Sequence, residues 1–298
     1  MEENNAVVVI GGMNMDIGGR PRGRLLLKDS NPGQVSVRPG GVGRNIAHNL
    51  RLLGLPVALV SAVGEDDYGR ALLRSCGELG IDCAMTLVLP GERSSTYLYI
   101  TDEDGDMQLA VSDMDITGRI GPEHIRPLLP RLNRAPAVVL DANLREDTLA
   151  YVAEHVTAPL YADAVSTVKA QRLKGSLPRL HCLKPNALEA EKLTGASRPE
   201  QAAAMLVEAG VDRVFLSMGA QGMLAAEKGR QLYLPCEQAR VMNTTGAGDA
   251  VTAALVWAGI RGMDLEGSLR AALKAGAITT ETAEANNPRL AELPGAFV

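Results

Sequence analysis

Asn243-Thr244-Thr245-Gly246-Ala247-Gly248-Asp249-Ala250, followed at once by the apolar run Val251 to Ile260, reads as a small-residue loop opening into a helix. Such a loop leaves consecutive backbone N–H groups aimed at one point, where the partial positive charge of the helix start favours an anion. Gly246 and Gly248 lack a Cβ and let a ligand approach the backbone closely. Asp249 would repel a phosphate held there, unless its carboxylate faces a hydroxyl that must lose a proton before attacking that phosphate. The pattern therefore suits phosphoryl transfer, with Asp249 as base and Gly246, Ala247 and Gly248 as amide donors to the transferred group. A tight turn with a first-turn acid fits the same eight residues.

A second group is Lys184-Pro185-Asn186-Ala187-Leu188-Glu189. Asn186 and Glu189 stand three apart at a helix start and so share a face, where an amide and a carboxylate can hold a hydrated Mg²⁺. The same spacing is also a capping box. Asn14 and Asp16 alternate after the strand Ala6 to Ile10, so in extended chain both address one side; an Asx-turn is the other reading. Asp141-Ala142-Asn143, Asp163-Ala164-Val165-Ser166 and Lys184 each follow a short apolar strand, the edge of an open α/β sheet where ligands bind. Ser217-Met218-Gly219-Ala220-Gln221-Gly222 ends another strand, and can border a purine or ribose or simply form a turn.

These residues need a scaffold, and the chain supplies an alternating one. Buried-type strands are expected at 6–10, 57–63, 138–141, 160–163, 182–183 and 214–217, with helices between them and an antiparallel hairpin at 222–226 and 231–234. Two closing helices are expected, one after Asp249 and one from about Leu265 to Ala283. Residues 17–37 change character, with a Gly/Arg-rich entry, Leu25 to Leu27 and Val35 to Val37. A second excursion, 94–112, turns at Asp102 to Asp106. Together they predict a small β-sheet lid over one doubly wound, mostly parallel α/β domain spanning 1–298. Gly40-Gly41-Val42-Gly43 follows a Pro and a lid strand rather than a buried strand, which argues against a dinucleotide fingerprint.

Bulk properties narrow the partners. A net charge of −5 over 298 residues argues against a nucleic-acid surface and for a small-molecule substrate. The four cysteines and four histidines show no metal-ligand spacing, as expected for reduced thiols in a cytoplasmic protein. The start, Met1 to Asn5, is acidic and polar with no signal-peptide pattern, and no 18-residue apolar run predicts a membrane span.

The order of these motifs resembles the ribokinase-like (PfkB) carbohydrate and nucleoside kinases over nearly the whole chain. Gly40-Gly41-x-x-x-Asn45, Asn186-x-x-Glu189 and Thr245-Gly246-Ala247-Gly248-Asp249 carry the resemblance. It implies ATP and Mg²⁺, with Asp249 as catalytic base and Gly246 to Gly248 as the anion hole. It further implies an ATP site lined by Asn186, Ser217, Gly219 and Gly222, with Lys184 a phosphate contact, and sugar hydroxyls held by Asn14, Asp16, Gly40, Gly41 and Asn45. Within the family, Gly41 to Ala47, Ser112-Asp113-Met114-Asp115-Ile116 and Asp163 to Lys169 look most like pseudouridine kinases. Ser30, Thr96, Asp113 and Met114 are then expected to read the extra ring N–H of that nucleoside. Asn243 stands where many members carry an Asp at a monovalent-cation site, so the resemblance does not carry K⁺ activation over to this chain. Related enzymes often dimerise through the lid, and the apolar residues Leu25 to Leu27 and Tyr97 to Ile100 would suit a homodimer.

Overall fold

The computed structural model describes residues 5–237 and 239–297; the polar start at 1–4 lies outside the described residues. The strands are β1 (Val7–Ile10), β2 (Asn14–Pro21), β3 (Gly33–Gly40), β4 (Val57–Val60), β5 (Ala62–Gly64), β6 (Leu87–Leu89), β7 (Thr96–Thr101), β8 (Met107–Asp113), β9 (Val138–Asp141), β10 (Leu160–Asp163), β11 (Cys182–Lys184), β12 (Arg213–Ser217), β13 (Met223–Glu227) and β14 (Arg230–Leu234). The helices are α1 (Val42–Leu52), α2 (Asp67–Glu78), α3 (Pro122–Ile125), α4 (Leu129–Leu132), α5 (Glu146–His155), α6 (Thr167–Ala170), α7 (Ala187–Thr194), α8 (Pro199–Glu208), α9 (Ala247–Ile260) and α10 (Leu265–Thr280).

Eight strands form the main sheet in the order β14-β13-β12-β11-β10-β9-β1-β4. Pairing is parallel from β12 to β4 and antiparallel through β13 and β14. Alternate residues feed two cores. Val8, Ile10, Val138 and Leu140 pack on the face covered by α5, α7 and α8. Val7, Val9 and Val139 pack on the face covered by α1, α2, α9 and α10. Strands buried on both faces carry continuous apolar runs, which is why they were legible in the sequence. Helix α9 is buried from Ala250 to Ala258, so it reads as apolar all round rather than amphipathic.

Four strands form the separate lid, in the order β3-β2-β7-β8. Two details differ from the sequence expectation. Residues 18–21 are not a flexible entry but the outer half of β2, while Leu25 to Leu27 lie in a loop. Gly18 and Gly19 accommodate cross-strand neighbours: a Cβ on Gly18 would lie 2.6 Å from the Tyr99 ring, and one on Gly19 would lie 2.8 Å from Ile100 Cδ1. The run 57–63 is two strands, because the chain leaves the main sheet at Ser61 and β5 pairs in parallel with β6 instead. Both pieces are buried, so composition gives no sign of the break.

Candidate active site

The parallel strands bring their C-terminal ends to one edge, and the chemistry gathers there. Asp141 and Asp163, at the ends of β9 and β10, and Lys184, at the end of β11, are all buried. Asp141 accepts from the amides of Gly12 and Asn143, each at 2.8 Å, which ties the β1 and β9 loops together. Burial pushes its carboxyl up, to about 6. Asp163 accepts from Thr252 Oγ1 at 2.7 Å and pairs with Lys184 Nζ at 2.9 Å. Burial works to lower the Lys184 ammonium, but Asp163 and Glu189 outweigh it and hold the group above its ordinary range. The cation stays charged beside the start of α9, where a Cβ on Gly248 would lie 2.9 Å from Lys184 Nζ.

Gly246 precedes α9 with φ at +80°, and a Cβ there would collide with the Ala285 carbonyl at 2.0 Å. The amides that open this fourteen-residue helix are free of side-chain caps. Asp249 lies in its first turn and accepts from Asn45 Nδ2 at 3.0 Å. Burial pushes the Asp249 carboxyl up, to about 8; the Asp163 charge adds to this, and the Asn45 hydrogen bond and Lys184 oppose it. A proton acceptor, a buried cation and the open end of a helix thus share one location.

The Gly40-Gly41-Asn45 segment is built around Asp16. Asn14 Nδ2 donates to Asp16 Oδ1 at 2.6 Å, and a Cβ on Gly40 would meet Asp16 Oδ2 at 2.0 Å. Gly41 has φ at +99° and passes close to Met13. Burial raises the Asp16 carboxyl, with the Asn14 hydrogen bond and the Arg44 charge acting against it. Asn14, Asp16, Gly40, Gly41, Asn45 and Asp249 therefore form one connected group.

Asn186 and Glu189 form the capping box: Asn186 Oδ1 accepts from the Glu189 amide at 2.9 Å and Glu189 Oε2 from the Asn186 amide at 2.8 Å. Glu189 is buried near Lys184, and burial pushes its carboxyl up. The box leaves the second Glu189 oxygen uncommitted, a donor set that suits an ion reached through water. Ser217 bridges to Asn186 and donates its amide to the Pro185 carbonyl at 2.9 Å. Gly219 and Gly222, at φ +58° and +114°, turn the chain just beyond.

Other expected contacts are not brought together. Ser30 is exposed in the loop at the outer end of the β2–β3 hairpin, where Pro21 pairs with Gly33, roughly 20 Å of strand from Asn14. Thr96 pairs with Met15 on one side and with Asp113 on the other, so the side chains of Thr96 and Asp113 share the face of the lid opposite to Asp16. Asp113 instead pairs with Arg93 at 3.3 Å. Met114 leads into the short 3-10 turn Asp115–Arg119.

The crevice face carries Asp16, Gly18 and Arg20 of β2, Tyr97, Tyr99 and Thr101 of β7, and Arg38 and Ser36 of β3, over a cavity of about 1480 Å³. Arg38 pairs with Glu284 across its rim. Arg44, His48 and Asn286 also line it, and none of the three stood out in the sequence as a site residue. Arg44 and His48 are four apart on α1 and read as a polar helix face; Asn286 reaches α1 from 237 residues away, donating to Asn49 Oδ1 at 2.9 Å. Asn143 Oδ1 accepts from Lys169 Nζ at 2.5 Å, a pair that only the fold reveals. Asn243 closes the loop before α9, donating to the Ala283 carbonyl and accepting from the Thr245 amide, each at 2.9 Å. No helix among the described residues is long and apolar enough to cross a membrane.

The profile of the pfkB family carbohydrate kinases matches residues 4–292. The pseudouridine kinase of Escherichia coli is 38% identical over 297 residues, covering 97% of this chain and 95% of that protein. Among solved structures, a carbohydrate kinase from Agrobacterium tumefaciens has a TM-score of 0.85 at 28% identity, covering 97% of this chain and 96% of that one. The Arabidopsis thaliana ribokinase complexed with ribose and ATP has a TM-score of 0.87 over 97% of this chain and 98% of that one; at 23% identity it speaks to the fold alone.

Proposed function

The chain belongs to the pfkB family of carbohydrate kinases, and on that premise we propose that it transfers the γ-phosphate of ATP to the 5′-hydroxyl of pseudouridine. A phosphotransferase acting on a sugar or nucleoside is the coarser statement that the family supports. The observation carrying the chemistry is the convergence of Asp249, Lys184 and the Gly246-to-Gly248 amides on one edge of the sheet. Pseudouridine as substrate draws its support from the 38% identity to the Escherichia coli pseudouridine kinase along almost the full length of both chains.

Asp16, with Asn14 orienting it and Asn45 nearby, would hold ribose hydroxyls. This leaves the 5′-oxygen toward Asp249, which takes its proton as the oxygen attacks. The opening amides of α9 and the Lys184 ammonium stabilise charge on the transferred phosphoryl group. Mg²⁺, when bound, neutralises nucleotide phosphate charge; Asn186 and Glu189 would hold it through water, and Ser217, Gly219 and Gly222 would border the nucleotide. The lid face of Asp16, Tyr97 and Tyr99 would exclude water from the reaction.

The opposite lid face is a cross-strand apolar ladder of Val37, Ile17, Leu98 and Val111, flanked by Val35, Ile100 and Leu109. Val111 is 56% exposed and Val35 75%. A homodimer formed through this face would cover it. Phosphorus NMR of the product formed from pseudouridine and MgATP tests the reaction: a 5′-phosphomonoester is expected, and free phosphate without a nucleotide product would refute it.

A further inference from the structure

His48 faces the lid cavity from α1, one turn beyond Arg44. Its Nδ1 is buried and makes no well-formed hydrogen bond among the described residues. With Nδ1 turned into the protein, the opposite edge of the ring, carrying Nε2, is the one on the cavity. Burial, with the Arg44 charge beside it, pushes the imidazole down to about 4, so it is neutral under ordinary conditions. A neutral imidazole carries one N–H and one lone pair, and the partner of one nitrogen decides the role of the other.

Asn286 sets that role. Its Nδ2 donates to the Asn45 carbonyl at 3.2 Å and to Asn49 Oδ1 at 2.9 Å, which orients its Oδ1 as the remaining acceptor. The Asn286 side chain acts on the His48 ring as an acceptor, opposing the downward shift, which favours the proton on the protein side of the ring and leaves a lone pair on the cavity side. The same cavity carries the donors Arg20, Arg38 and Arg44 and the carboxylates Asp16, Asp104 and Glu284, of which Glu284 pairs with Arg38. Water meets a cavity-facing acceptor when no ligand is bound, so the acceptor costs free energy only when a bound ligand displaces that water without offering an N–H in its place.

We propose that His48 is a specificity-determining residue whose imidazole accepts a hydrogen bond from the N1–H of the substrate's base. The proposal rests on the pseudouridine reading above. In pseudouridine the ribose is attached at C5, so N1–H occupies the place that C5–H holds in uridine, and the neighbouring carbonyl is present in both. The Arg44 guanidinium can donate to that carbonyl in either nucleoside. Only the group opposite His48 changes, from N–H to C–H, and a site whose polar group is left unpaired rejects the analogue.

The test is kcat/KM of the full chain with MgATP on pseudouridine and uridine, for wild type, His48→Phe and His48→Gln. His48→Phe should lower pseudouridine turnover about ten- to a hundredfold and leave uridine within about twofold, so the preference collapses. His48→Gln, which places an acceptor near the Nε2 position, should recover part of it. Without any variant, wild type should use 1-methylpseudouridine at least about tenfold less well than pseudouridine. Equal loss on both nucleosides, an intact preference in His48→Phe, or equal use of 1-methylpseudouridine would overturn the assignment. A wild type inactive on pseudouridine would sink the substrate reading, and this assignment with it; a wild type that prefers pseudouridine whatever stands at position 48 would sink this assignment alone.

Discussion

Asn45 Nδ2 donates to Asp249 Oδ2 at 3.0 Å, joining residues 204 positions apart. The bond connects the glycine-rich start of α1 to the start of α9 and aims the carboxylate at the crevice. Replacing Asp249 with Asn keeps the shape and removes the base. Steady-state assays should show kcat reduced about 10²- to 10⁴-fold with nucleotide affinity little changed. Asn45→Ala should cost roughly tenfold, because the carboxylate survives but loses its orientation. Activity retained in Asp249→Asn would remove the base assignment.

The raised proton affinity of Asp249 gives a pH signature. Its folded-state value, about 8, lies above the ordinary 3.8. The basic form therefore grows as pH rises, and kcat/KM should climb about tenfold per unit before levelling near pH 8. Linkage has the opposite sign. Between pH 4 and 8 the folded state holds a proton that the unfolded chain has released, so this group's stabilisation is complete below 3.8 and fades as pH rises through 8. Asp141 acts in the same sense up to about 6. Thermal melts should show wild type losing more stability from pH 5 to 8 than Asp249→Asn; parallel curves would contradict the shift.

Much of the scaffold was legible because its strands are buried on both faces, so Val7 to Ile10 and Val138 to Asp141 announce themselves. The Gly246 to Asp249 stretch was legible as a small-residue loop opening a helix, because two glycines and a first-turn acid stand directly before the apolar run of α9. The lid misled at Thr96 and Asp113, where a one-residue step in register sends a side chain to the other face. His48 read only as part of a polar helix face, and Asn286 and the Lys169–Asn143 pair left no local pattern. Their partners come from distant elements, and periodicity carries no information about such contacts.

Gly246→Ala tests the backbone at the helix opening. The added methyl would meet the Ala285 carbonyl in a left-handed conformation, so the loop must shift. Turnover should fall at least about a hundredfold, the scale of losing one preorganised anion donor, while circular dichroism stays native. Full activity would show that these amides do not hold the transferred group.

The lid ladder predicts an assembly. Sedimentation should find a dimer for wild type and a monomer for the pair Leu98→Glu and Val111→Glu, since two carboxylates on this face oppose its burial. A wild-type monomer, or a dimer unaffected by the pair, would place the contact elsewhere or remove it.

The most direct measurement is a competition. An equimolar mixture of pseudouridine, uridine, adenosine, cytidine and ribose is incubated with limiting MgATP, and each phosphorylated product is quantified by mass. Pseudouridine 5′-phosphate should dominate, with uridine phosphate at least about tenfold lower. Dominant phosphorylation of ribose or adenosine would contradict pseudouridine as the substrate while leaving Asp249 and the sheet edge as the site of transfer.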